Sequence, residues 1–196
     1  MDRRGWVVGV IIAGASAVAS AGPFGLNEGD TLEAVSKFAK LTPMETAGVY
    51  RTERLPNGHP DIHDYRLVFG PTTGLCRINA VGPTRPTNSF GEQVRTEFTE
   101  WQAALASKYG APEKLDFLDN GSIWNEPRDW SMALAKKERT LAAVWKLDRA
   151  PVDGLSVVRL EAHAFTSANY AIRLVYEFSN FDACKASLLS KRNANL

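Results

Sequence analysis

The sequence predicts an α+β protein made of two halves, each a helix plus an antiparallel three-stranded sheet, packed around a central amphipathic helix at residues 89–109. Three observations carry this. Phe90, Val94, Phe98, Trp101, Leu105 and Tyr109 recur at spacings of three and four, which collects large apolar side chains on one helical face. Three strand-like runs precede that helix, at 46–53, 63–69 and 75–81, and three follow it, at 140–147, 155–165 and 170–178. The links within each set are short and rich in turn residues, as antiparallel neighbours require.

The first half spans residues 30–82. Gly22 to Gly29 reads as a flexible lead. Asp30 is placed to cap a short helix, TLEAVSKFA, with Glu33 at the reciprocal capping position and Leu32, Val35 and Phe38 on one side. Pro43 stops it. Asn57-Gly58 marks a tight turn between the first two strands, and Gly70 to Gly74 marks the next.

The second half spans residues 89–191. Ser89 and Glu92 have capping-box spacing at the central helix, Gly110 suits a left-handed C-terminal position, and Pro112 blocks continuation. Leu115 to Leu118 reads as an edge strand or a loop. Glu126-Pro127 opens a further helix through Trp130, Leu134 and Lys137, since proline at the first helical position removes no needed amide. In the last two strands Val158, Leu160, Ala162 and Ala164 share a side with Ile172, Leu174, Tyr176 and Phe178 opposite them. Arg159, Glu161, His163, Arg173 and Glu177 take the other side. One face under helices and one wet face suit an antiparallel sheet. A helix over Asp182 to Lys191 closes the domain.

At the start of the chain, Asp2, Arg3 and Arg4 precede an apolar run from Trp6 to Ala19, and Ala19-Ser20-Ala21 stands before Gly22-Pro23. A basic start, a short apolar stretch and an A-x-A site describe a secretory signal peptide over residues 1–21. The run is short of the roughly 20 residues a membrane-spanning helix needs. No cysteine follows the expected cleavage site after Ala21, so no lipid attachment is expected there. Residues 22–196 then form a single compact domain, with a periplasmic or extracellular location. Of the 23 basic and 22 acidic residues, the leader holds two and one, leaving 21 of each. That balance provides no basic footprint for nucleic acid. No later stretch is apolar enough for a transmembrane helix.

Cys76 and Cys184 are the only cysteines, and export favours their pairing as a disulfide. Alternation places Cys76 on the same side as Ile78 and Ala80. Helical spacing places Cys184 with Phe181 and Leu188.

Gly29-Asp30-Thr31-Leu32-Glu33-Ala34-Val35 at the first helix, and Gly91-Glu92-Gln93-Val94 with Tyr109-Gly110-Ala111-Pro112 at the second, resemble the glycine-led helices of two related families. These are the tandem helix-plus-three-strand repeats of the secreted β-lactamase inhibitor proteins and the single unit of small lipoproteins of the outer-membrane barrel-assembly machinery. The resemblance implies a binding or assembly role and transfers no contact residue. The general character is that of a bacterial envelope protein.

Three groups of residues are candidate sites. If His59 to Asp64 is extended, His59, Asp61 and His63 project to one side, a donor set that zinc would accept. A solvated hairpin loop is the plainer reading, given the adjoining Asn57-Gly58 and Pro60. His163 beside Glu161, Arg159, Arg173 and Glu177 has the makings of an acid–base group, or of cross-strand ion pairs on a wet face. Trp124, Arg128 and Trp130 match the composition of protein-interface hot spots, or the tryptophans seal the core. No G-x-S-x-G elbow, phosphate-binding glycine loop or H-E-x-x-H occurs. The function these readings support is a non-enzymatic exported protein that binds another protein or an envelope component through its open sheet face or the Trp124–Trp130 loop. The alternative is a small exported metal-binding protein or hydrolase.

Overall fold

The computed structural model describes residues 22–147 and 152–193. The expected signal peptide at 1–21 and Pro151 lie outside them.

The described residues form an α+β fold on one antiparallel sheet of nine strands. The strands are β1 (Thr42–Pro43), β2 (Val49–Thr52), β3 (Asp64–Gly70), β4 (Gly74–Val81), β5 (Arg85–Pro86), β6 (Glu113–Leu118), β7 (Arg139–Lys146), β8 (Leu155–Thr166) and β9 (Asn169–Phe178). Their order is β1-β2-β3-β4-β9-β8-β7-β6, with β5 added to one end of β9. The strands of both expected halves therefore lie in one sheet, joined where β4 pairs with β9. Leu115 to Leu118 belongs to an edge strand, β6.

The helices are α1 (Leu32–Ser36), α2 (Glu92–Tyr109), α3 (Trp130–Ala135) and α4 (Phe181–Asn193), with a 3-10 turn at Pro127–Asp129 leading into α3. Both α2 and α3 pack on the β7–β9 region, α2 against β8 and β9 and α3 against β7 and β8. Beneath them lie Trp145, Val158, Leu160, Leu174 and Tyr176, continued across β4 and β3 by Ile78, Ala80, Leu67 and Tyr65. Register places these side by side: Val158 opposite Tyr176, Leu160 opposite Leu174, Ala80 opposite Leu174 and Tyr65 opposite Ala80. Burying this layer is the main stabilising contribution, at about 1.5–3 kcal/mol for each large apolar side chain.

The N-terminal lead departs from expectation. Phe24 and Leu26 hold it in place, Leu26 fully buried and Phe24 set edge-on to Tyr65 and Tyr176 with ring centroids 5.0 and 5.5 Å away. Two large apolar side chains in a glycine-rich segment outweigh its backbone freedom.

Helix α2 buries Val94, Phe98 and Leu105, but Phe90 precedes the helix and is 45% exposed. The expected Ser89 cap is also displaced. Asn88 Oδ1 accepts from the Glu92 amide at 3.2 Å and its Nδ2 donates to the Glu92 carboxylate at 2.7 Å. Asn88→Ala is expected to cost about 1 kcal/mol, and Ser89→Ala close to nothing, since the Ser89 side chain is exposed. Urea unfolding of the two variants measures the difference. In α1 the cap is Thr31, which accepts from the Ala34 amide at 3.1 Å, in place of Asp30. That helix ends at Ser36 and leaves Phe38 52% exposed. Gly110 takes φ +82° and its carbonyl accepts from Trp145 Nε1 at 2.7 Å, tying the end of α2 to β7.

Helix α4 lies on the other face, against β3 and β4, where the Arg77 guanidinium sits 5.3 Å from the Phe181 ring centroid. It brings Cys184 to Cys76 at disulfide distance, with Cα atoms 6.3 Å apart. The alternation that placed Cys76 beside Ile78 is broken. Phe69 pairs with Leu75 and Val68 with Arg77, so Cys76 is the extra residue of a β-bulge.

Candidate functional site

The sheet face opposite α2 and α3 is built by alternation. Every strand residue between two core positions points to it. Three cross-strand rows result. One runs Arg51, Arg66, Asn79, Val175, Arg159, Val144, Glu113. A second runs Asp64, Val81, Arg173, Glu161, Ala142, Leu115. The third runs Val68, Arg77, Glu177, Val157, Lys146. Across β2 to β8, Arg51, Arg66, Arg77, Arg159 and Arg173 outnumber Asp64, Glu161 and Glu177. Toward β6 the face carries Leu115, Val144 and the 48% exposed Phe117, with Glu113 beside Val144 and 2.7 Å from Lys146.

The charges are organised into pairs. Asp64 accepts from Arg51 Nε and Arg66 Nη2, each at 2.9 Å. Arg77 lies 3.6 Å from Glu177. Glu161 is the hub: it accepts from Arg173 through Nε and Nη2, lies 2.9 Å from His163 Nε2, and lies 3.4 Å from Arg159. Burial pushes the Glu161 carboxyl up. The His163 hydrogen bond and the Arg173 charge overcome that and hold it at about 2, against an ordinary 4.5.

Because the folded value is depressed, the stabilisation is complete above the unfolded value and is lost as pH falls through about 2. It is on the order of 2–3 kcal/mol at neutral pH. Acid unfolding of Glu161→Gln is expected to be flatter than that of the parent between pH 5 and about 2. Curves that stay parallel through that window count against the hub.

Of the other predicted residues, Trp130 is buried. Its indole packs on Gly91, and the guanidinium groups of Arg95 and Arg139 each lie 5.4 Å from its ring centroid. Trp124 is half-buried, Arg128 is exposed, and Ile123 is 76% exposed. Trp130 therefore belongs to the core, and the expected Trp124–Arg128–Trp130 surface is not assembled as one patch.

The segment that carries the candidate zinc set His59, Asp61 and His63 is not extended. Residues 59–62 turn, with the Ile62 amide donating to the His59 carbonyl at 3.0 Å. The His59 ring lies against Trp101, tilted by 44° with centroids 4.6 Å apart, and Asp61 faces Arg85 at 3.4 Å. Among the described residues no three His, Cys, Asp or Glu side chains are grouped to hold a metal ion.

Sequence reasoning found the β8–β9 part of the charged face and missed Arg51, Arg66 and Arg77. Each sits out of phase with its strand's core residues, but only the order β2-β3-β4-β9-β8 brings them together. The groove around His59, Trp101, Glu97 and Tyr170 was missed too, since its residues come from four separate segments. Comparison with family models, curated proteins and solved structures finds no match to this chain.

Proposed function

We propose that the chain is exported, loses residues 1–21, and acts as a non-enzymatic protein whose open sheet face docks another protein or an envelope component with an acidic surface. One observation carries this reading: a sheet face with Arg51, Arg66, Arg159 and Arg173, and with Arg77 where α4 covers its end, against the four carboxylates of Asp64, Glu113, Glu161 and Glu177, bordered by Leu115, Val144 and Phe117. Arginine beside apolar side chains is the composition of protein interfaces, and excess positive charge steers acidic partners. Export is supported by the cysteine pair and by the basic, apolar and A-x-A pattern of the first residues. No described helix is long and apolar enough to cross a membrane.

The sheet also reads as two fused units, β2-β3-β4 and β9-β8-β7, each in consecutive order. That reading carries forward the resemblance to secreted tandem-repeat inhibitors and barrel-assembly lipoproteins.

Photo-crosslinking in the native envelope tests the docking face. A photoreactive residue at Val157 is expected to give a discrete adduct, weakened by Arg159→Glu, and one at the exposed Ala103 of α2 is expected to give none. Adducts from Ala103 or Ile123 with none from Val157 overturn the sheet-face assignment. Mass spectrometry of the same material is expected to place the N-terminus at Gly22.

A further inference from the structure

On the helix-covered side, a groove follows β9. Its floor is Tyr170, Leu174 and Tyr176, all buried. Helix α2 forms one wall, and the Phe24 segment with the His59–Asp61 turn forms the other. Midway, the His59 ring and the Trp101 indole meet across the groove at 4.6 Å. They divide it into two compartments that share His59, Glu100 and Trp101, of about 570 Å³ and about 450 Å³. Both fall within the range of small-molecule sites, roughly 300–1,000 Å³.

The compartments differ in chemistry. The smaller is walled by Phe24, Trp101, Leu105, Tyr109 and Tyr176, with Lys108, whose ammonium is held by Asp153 at 2.9 Å, also in its lining. The larger holds Asp61, Glu92, Glu97 and Glu100 against one guanidinium, that of Arg85. Arg85 is drawn to Asp61 at 3.4 Å and to Glu97 at 3.3 Å, and Tyr170 donates its hydroxyl to Glu97. Glu92 and Glu100 make no ion pair among the described residues. The larger compartment therefore keeps a negative surplus, which attracts and holds a cation beside an aromatic wall.

We infer that this groove binds a small organic cation, an amine with an apolar aryl or alkyl body, the body entering between Phe24, Leu105 and Tyr176 and the ammonium meeting Glu100, which lines both compartments, in the field of the acidic one. The charge decides the class. A carboxylate of the same shape would face four carboxylates and lose affinity. An alcohol would keep the apolar contact and lose the charge. The site lies on the opposite side of the sheet from the Arg159 face, so it stands or falls independently of the docking reading.

Isothermal titration of the protein with 4-phenylbutylamine tests it, with 4-phenylbutanoate and 4-phenylbutanol as matched probes and butylamine as the probe without the ring. The expected result is one saturable site for 4-phenylbutylamine, weakening with added salt, with each of the other three at least about tenfold weaker. Glu100 is exposed, so Glu100→Lys leaves the fold intact and is expected to reduce affinity by about tenfold or more. Arg159→Glu is expected to leave it unchanged. Equal binding of amine and carboxylate, an unaffected Glu100→Lys variant, or no saturable binding overturns the assignment. So does self-association that Glu100→Lys abolishes while the amine has no effect on it, which would make a second copy the occupant. If crosslinking at Val157 fails while the amine binds as described, the docking face alone is wrong.

Discussion

Reduction of the Cys76–Cys184 bridge is expected to lower the unfolding free energy by about 4–5 kcal/mol, the chain-entropy value for a loop of this length. The two cysteines are 108 residues apart, so the bridge restricts the unfolded chain from β4 through β9, while β2 and β3 lie outside the closed loop. Its local effect is as specific. Helix α4 is the last described element and packs mainly on β3 and β4, so its attachment leans on few other contacts. Cys76→Ser with Cys184→Ser is expected to move the denaturation midpoint as reduction does, with a steeper denaturant dependence because the unbridged chain exposes more surface. Hydrogen exchange is expected to show α4 opening first. A reduced protein as stable as the oxidised one would show that the loop is already constrained in the unfolded state.

Gly91→Ala is expected to cost about 2–4 kcal/mol, from overpacking plus a left-handed backbone that alanine resists. Gly91 has φ +69°, and a Cβ there would sit 1.9 Å from Cε3 of Trp130. The indole has little room to retreat, because Arg95 and Arg139 flank it and its helix is pinned through Ser131. The Ser131 amide donates to the Ser89 carbonyl at 3.0 Å and its hydroxyl to the Asn88 carbonyl at 2.7 Å. Gly110 is the control. It has φ +82° but open space where a Cβ would stand, so Gly110→Ala is expected to cost only about 1 kcal/mol. Urea unfolding of both variants separates the steric part from the backbone part. Equal losses would remove the Trp130 contact as the cause.

These two effects explain where sequence reading stops. The pairing of Cys76 with Cys184 follows from there being two cysteines in a chain with an export pattern. The bulge that turns Cys76 toward α4 does not, because it arises where β3 and β4 fall out of register by one residue, and the strand sequences alternate smoothly on either side. Trp130 shows the same limit. A tryptophan beside Arg128 and Pro127 fits an exposed anchor as well as a core seal. The choice is made by Gly91, 39 residues earlier, whose missing side chain leaves the space the indole fills.

What the sequence determined by itself is local. Spacing of three and four made α2, alternation made the strands of the β8–β9 hairpin and assigned their faces, and glycine at position 110 ended the helix. Each of these depends on backbone geometry repeating over a few residues, so neighbours in the chain carry the signal. The tertiary structure alone decided the rest. It joined β4 to β9 into one sheet, aligned Arg51, Arg66 and Arg77 with Arg159 and Arg173, folded Phe24 onto Tyr65 and Tyr176, and turned His59 away from a metal set and onto Trp101. Those outcomes depend on which apolar surfaces meet when distant segments exclude water together, and that non-directional force leaves no periodic mark on any one segment.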